Sequence, residues 1–247
     1  MKKLFIVLGL AQFLFIQTAF AGYLKDHIPT DGGELTITFL GHATLMLEYQ
    51  GKIIHVDPAV KKVDYGMLPK ADLILITHEH GDHYDVSAIE QLKKQDTQII
   101  VNQAVKDKGS DGQVMANGDS IEILGLPIRA VPAYNIVHKR ENGELYHPKG
   151  RDNGYIITFA NHQLYIAGDT ENTPEVKALK GIDIAFLPMN LPYTMSPEMV
   201  ADAVRSFKPT VLYPYHYRGT DPNTLIALLK DQQHTEIRLR KMYGVGE

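Results

Sequence analysis

A chain of 247 residues with 44% hydrophobic content can bury one large core, and it contains no cysteine. That excludes a disulfide framework, a thiolate metal site, a cysteine nucleophile and a lipoprotein anchor. The formal charge of −4 becomes about −6 once Lys2 and Lys3 are set aside with the leader, which argues against nucleic acid as a partner.

Met1-Lys2-Lys3 is a short basic start, Leu4 to Phe20 is an apolar run, and Ala19-Phe20-Ala21 has the small-x-small spacing of a cleavage site. This layout predicts a signal peptide over 1–21 and a periplasmic or secreted protein beginning at Gly22. The alternative is an uncleaved anchor, because the run approaches the ~20 residues that span a bilayer; Gln12 and Gln17 inside it speak against that. No stable membrane insertion is expected after cleavage, and 22–247 reads as one domain.

Leu35 to Leu40 alternates threonine with apolar residues, Thr44 to Tyr49 follows, and Gln50-Gly51 turns into a third strand at Lys52 to Val56. Ala71 to Ile76 is a nearly continuous apolar run, as in strands buried on both faces. Val86 to Lys94 has helical spacing, and Gln98 to Val101 is the next strand. Further strands are expected at 120–124, 128–131, 154–160, 163–167, 182–187, 210–213 and 236–239, with helices at 173–179, 197–207 and 221–230. Residues 135–153 read as an insertion or active-site loop. Two β-rich halves interleaved with helices suggest two packed sheets with helices outside.

Directly after the Ala71–Ile76 run stands His78-Glu79-His80-Gly81-Asp82-His83. Three imidazoles and an aspartate within six residues can gather around cations, since neutral imidazole and carboxylate suit zinc, iron or manganese. Residues 78 and 80 can point the same way on an extended backbone, and Gly81 lets the chain bend before 82 and 83. A carboxylate follows a second apolar strand in Gly168-Asp169-Thr170, where it could bridge two ions or merely cap a helix. Tyr215 and Tyr217 flank a late strand-end histidine, His216.

In order, Phe39-Leu40-Gly41-His42, Val56-Asp57-Pro58, the HxHxDH hexapeptide, Gly168-Asp169-Thr170 and His216 resemble the metallo-β-lactamase-fold hydrolase superfamily. The resemblance covers nearly all of 22–247 and is nearest to the branch of the ascorbate-phosphate lactonases and N-acylphosphatidylethanolamine phospholipase D enzymes. It implies an α/β four-layer αβ/βα sandwich and two divalent metal ions, zinc first, with manganese or iron as alternatives. It further implies His78 and His80 on a first metal, Asp82, His83 and His216 on a second, and Asp169 between them. His42 and Asp57 fall where the family places residues that support ligands or substrate.

One ligand is missing from that pattern. Where the related enzymes have Ala-x-His, Ala133-Tyr134-Asn135 has asparagine, which leaves His147, His138 or Asn135 itself for the first metal, with His147 preferred. Arg140, Lys149, Arg151 and Arg218 lie in loops near these residues, where a guanidinium or ammonium can hold an anion or simply be solvated. The implied activity is a metal-activated water attacking a small-molecule or lipid-like substrate, a phosphodiester, phospholipid or lactone, with Asp82 as catalytic base. The alternatives are a β-lactam hydrolase, or a metal-binding protein without catalysis.

Overall fold

The computed structural model describes residues 22–242; the leader read at 1–21 lies outside the described residues. Two seven-stranded sheets form in sequence order. The first contains β1 (Lys25–Thr30), β2 (Gly33–Gly41), β3 (Thr44–Tyr49), β4 (Lys52–Val56), β5 (Leu73–Leu75), β6 (Gln98–Val101) and β7 (Gln113–Val114). The second contains β8 (Ser120–Ile123), β9 (Leu126–Ala133), β10 (Asp152–Phe159), β11 (His162–Ile166), β12 (Ile184–Pro188), β13 (Val211–Tyr215) and β14 (Glu236–Ile237). Each sheet opens with four antiparallel strands and continues with three parallel ones.

That pattern explains where the helices go. Antiparallel neighbours need only tight turns; Gln50 and Gly51, both at positive φ (49° and 72°), supply one between β3 and β4. Parallel neighbours need crossovers. These carry α1 (Val86–Leu92) and α2 (Gln103–Asp107) in the first half, then α3 (Pro174–Lys177), α4 (Pro197–Phe207) and α5 (Pro222–Leu228) in the second. The starts of α3, α4 and α5 are written locally: Thr173, Ser196 and Asp221 cap them, and proline occupies the first helical position of each. Among the described residues no helix is long and apolar enough to cross a membrane.

Strand alternation then builds the layers. Leu45 and Leu47 of β3 and Leu73 and Leu75 of β5 enter the core between the sheets, where Tyr155, Ile157 and Ile166 meet them. Met46 and Ile74, on the other face, pack under Ala88, Ile89 and Leu92 of α1. The second sheet is covered by α4 through Val200, Val204 and Phe207. Each such side chain contributes about 1.5–3 kcal/mol when fully buried. The result is the expected four-layer αβ/βα sandwich. The missed elements are β1, α2, β7 and a single 3-10 turn at Tyr65–Met67. The first has a physical excuse: β1 is an edge strand that buries Ile28 alone, so it shows no periodicity. The 135–153 loop is indeed without helix or strand until Asp152, holding one isolated bridge, Lys139 to Leu145.

Candidate metal centre

The carboxyl ends of β4, β5, β11 and β13 open on one edge, the place where open α/β sheets receive ligands. Asp57, immediately after β4, is fully buried at φ 44° and organises the hexapeptide. Its carboxylate accepts from Thr77 N (2.8 Å), Thr77 Oγ1 (2.7 Å) and His83 Nδ1 (2.8 Å). The Thr77 hydroxyl has spent its proton on Asp57, so it accepts from His78 Nδ1 at 3.0 Å. Both imidazoles are thereby oriented with Nδ1 engaged and Nε2 facing inward. A turn in which His83 N and Tyr84 N both donate to His80 O brings Asp82 and His83 back over the same space.

The three candidates for the missing position separate cleanly. His147 Nε2 lies 3.2 Å from His80 Nδ1, and His78, His80 and His147 form one group whose ligand atoms lie within 4.8 Å of one another. Asn135 stands behind His147: its amide oxygen accepts from His147 Nδ1 (2.9 Å) and His147 N (2.8 Å). Its amide nitrogen donates to Glu171 Oε1 and Tyr193 O. His138 turns instead to Glu171, with Nδ1 at 2.7 Å from Oε1. Glu171 is a residue sequence reasoning missed. Buried after Asp169-Thr170, it accepts from the backbone N–H groups of Ile136, Val137 and His138 and so shapes the loop that positions Asn135.

Asp169 stands at the centre. Its carboxylate is surrounded by imidazole nitrogens, with His83 Nε2 at 3.3 Å, His147 Nε2 at 3.4 Å, His216 Nε2 at 3.5 Å and His78 Nε2 at 3.8 Å. Gly168 before it adopts φ 63°, and a Cβ there would come within 2.9 Å of Asn153 O. Burial disfavours charge on Asp169, yet His216 and His83 hold its carboxyl well below the usual range. Burial likewise opposes charge on His83, but Asp169 and Asp57 raise it well above an ordinary histidine. Burial pushes His147 down to about 4.

Asp82, His83, His216 and His42 form a second group. Asp82 Oδ2 lies 3.0 Å from His42 Nε2 and 3.4 Å from His216 Nε2. Both histidines sit at left-handed φ, 51° and 46°. Their backbones interlock, His216 N donating to His42 O and His42 N to Met242 O. Tyr215 is buried beneath, its hydroxyl 3.4 Å from Gly168 O. Arg151 braces the hexapeptide, pairing with Asp152 (2.8 Å) and Glu79 (3.3 Å), and Lys149 pairs with Glu175 (2.7 Å). Neither is therefore a spare anion clamp. Arg140 and Arg218 do line the cleft above the cluster, a cavity of about 960 Å³ walled by Tyr146, Tyr193 and Asn190, with Lys61 and Lys62 also lining it.

Whether these residues suit a cation can be judged from their unpaired atoms. His78 Nε2, His83 Nε2, His216 Nε2 and Asp169 Oδ1 are all buried without a hydrogen-bond partner. Each such atom costs about 1–3 kcal/mol if left unsatisfied, and all four face one another. The separations of 3.3–3.8 Å around Asp169 match donors sharing an ion, since ligands at ~2.0–2.1 Å in tetrahedral array stand roughly 3.4 Å apart. The donors fit a borderline divalent metal.

The profile described as "Beta-lactamase superfamily domain" matches residues 36–216. The chain belongs to that superfamily. Within it, the chain is 34% identical over 203 residues to a UPF0173 metal-dependent hydrolase of Methanopyrus kandleri, covering 76% of this chain and 86% of the relative. A UPF0173 metal-dependent hydrolase of Thermococcus kodakarensis is 34% identical over 223 residues, covering 81% and 95%. Among solved structures, a metal-dependent hydrolase of Parabacteroides distasonis is 49% identical with a TM-score of 0.85, covering 90% of this chain and all of that one. Igni18, a metallo hydrolase of Ignicoccus hospitalis, is 25% identical with a TM-score of 0.69, covering 85% and 96%. The superfamily's fold is the one expected, and its relatives carry the enzyme class expected, metal-dependent hydrolase.

Proposed function

We propose that the protein hydrolyses a small ester, lactone or phosphodiester, phospholipid-like substrates included, with two divalent ions, zinc first and manganese or iron as alternatives. The observation that carries this reading is the convergence of unpaired buried Nε2 atoms of His78, His83 and His216 on Asp169. His78, His80 and His147 would hold one ion, Asp82, His83 and His216 the other, and Asp169 both. When bound, the ions supply Lewis acidity that activates water at neutral pH and polarises the oxygen under attack.

The chain's own residues do the rest. Asp82 has a half-exposed carboxylate facing the cleft, which supports it as the group that takes a proton from attacking water and returns it to a leaving group. His42 orients it. Asn135 and Asp57 engage Nδ1 of His147 and His83, which turns Nε2 of each ring towards the cluster. The leader motif supports export, with 22–247 as the mature hydrolase domain in the periplasm or outside the cell; N-terminal sequencing of the exported protein should begin at Gly22.

The decisive experiment combines elemental analysis with turnover of bis-p-nitrophenyl phosphate and a panel of lactones. Two metal equivalents and activity that Asp82→Ala lowers at least ~100-fold are expected. Metal binding without turnover of any ester would leave a non-catalytic metal protein, and faster turnover of nitrocefin than of these substrates would favour the β-lactam reading.

A further inference from the structure

Eight large hydrophobic side chains are exposed among the described residues, and four of them, Ile136 (44%), Val137 (60%), Leu191 (45%) and Tyr193 (46%), belong to just two loops. Exposed hydrophobics scattered singly need no explanation, but grouped ones do. The two loops are joined: Asn135 Nδ2 donates to Tyr193 O at 2.9 Å, and the Tyr146 and Tyr193 rings meet at 5.0 Å. Both loops border the cleft, which Asn190, Tyr193, Arg140 and Tyr146 line.

The exposure is enforced rather than accidental. Glu171 takes the consecutive N–H groups of Ile136, Val137 and His138 at 2.7–2.8 Å, which holds the backbone on which Ile136 and Val137 stand exposed. Beside this rigid apolar lip stand cations. Arg140, Arg218 and Lys61 line the cleft and make no ion pair among the described residues; Arg140 lies 4.8 Å from the centroid of the Tyr146 ring it covers. The carboxylates lining the cleft are Asp82 and Asp169, both in the histidine cluster.

We infer that the cleft receives an amphiphilic anion, its negative group drawn to Arg140 and Arg218 and its apolar chain laid along Ile136, Val137, Leu191 and Tyr193. This rests on the hydrolase reading but names a substrate class for it. The occupant is a single molecule, because Tyr193 belongs both to the exposed apolar group and to the cleft wall, and Asn190 and Arg140, which also line the cleft, stand in the same two loops. A loop backbone already held in place lowers the ordering cost of binding a chain along it.

Calorimetry with the metal-loaded mature protein tests it, using decyl phosphate, butyl phosphate and the uncharged decyl maltoside. A fully buried methylene is worth about fourfold in affinity. Decyl phosphate should therefore bind at least ~10-fold tighter than butyl phosphate, and decyl maltoside should bind at least ~10-fold more weakly than decyl phosphate. Val137→Ser with Leu191→Ser should abolish the chain-length effect and spare butyl phosphate, whereas Arg140→Gln with Arg218→Gln should weaken decyl phosphate at least ~10-fold at unchanged metal content.

Equal affinity for the two phosphates, or no effect of either double variant, would overturn the proposal. So would tight sedimentation with phosphatidylglycerol vesicles in the absence of any chain-length effect, which would make the lip a membrane-docking surface. Because these are binding measurements on protein of known metal content, either failure leaves the hydrolytic reading to be judged by its own turnover assay.

Discussion

Asn135 uses both ends of its amide, and His147 depends on it for orientation. Asn135→Ala should lower metal affinity about 10–100-fold, read by competition with a chromophoric chelator. His55 illustrates a different residue-scale effect. It is buried, its Nε2 lies 3.0 Å from Pro69 O, and burial pushes its pKa down to about 4. The folded form thus prefers the neutral ring. Stability from this residue is present above the unfolded value near 6.5 and is lost as pH falls from there towards 4, about 3 kcal/mol in all. Urea unfolding at pH 7.0, 5.5 and 4.5 should show a shallower acid-side loss in His55→Leu than in the parent. The hexapeptide was legible in the sequence because its ligand types are crowded into six positions. Glu171 was not: the carboxylate's partners, Asn135 to His138, are more than thirty residues away, and nothing local distinguishes it from a turn residue.

At the scale of elements, turn chemistry and caps decide where ligands arrive. Gly168 follows β11 at φ 63° with Asn153 O and Thr77 pressed against the space of a Cβ. Gly168→Ala should cost about 2–4 kcal/mol, seen as a fall in Tm, and should also displace Asp169, seen as lost metal. Ser196→Ala is the control: it removes the cap that accepts from Met199 N, should cost about 1 kcal/mol, and should leave metal content unchanged. Capped, proline-started helices and the alternating strands β2 to β4 were readable from sequence, because period and cap coincide there. The short elements α2 and β7 were not, since five residues and two residues carry no period and depend on packing for their existence.

The whole molecule is one pattern made twice, four antiparallel strands followed by three parallel ones, and the cluster lies across the junction. His42, Asp57 and His78 to His83 come from the first half; His147, Asp169 and His216 come from the second. Ions bound there would tie the halves together. With free metal at ~1,000 times Kd, binding stabilises by about 4 kcal/mol, so removal by a chelator should lower Tm by roughly 10 °C and restoration of metal should reverse it. Two β-rich halves with outer helices were visible in the chain's periodicity. The strand order was not, because pairing is decided by contacts between segments far apart in sequence.

The left-handed backbones of His42, Asp57 and His216 bear on how this protein is improved in the laboratory. Each non-glycine residue held there costs about 1–3 kcal/mol, so glycine would relieve His42 or His216 at once. A library screened for heat resistance alone should enrich glycine at those two positions and return sturdier proteins with an impaired cluster. Any selection for robustness on this scaffold therefore needs a metal or turnover readout running beside it.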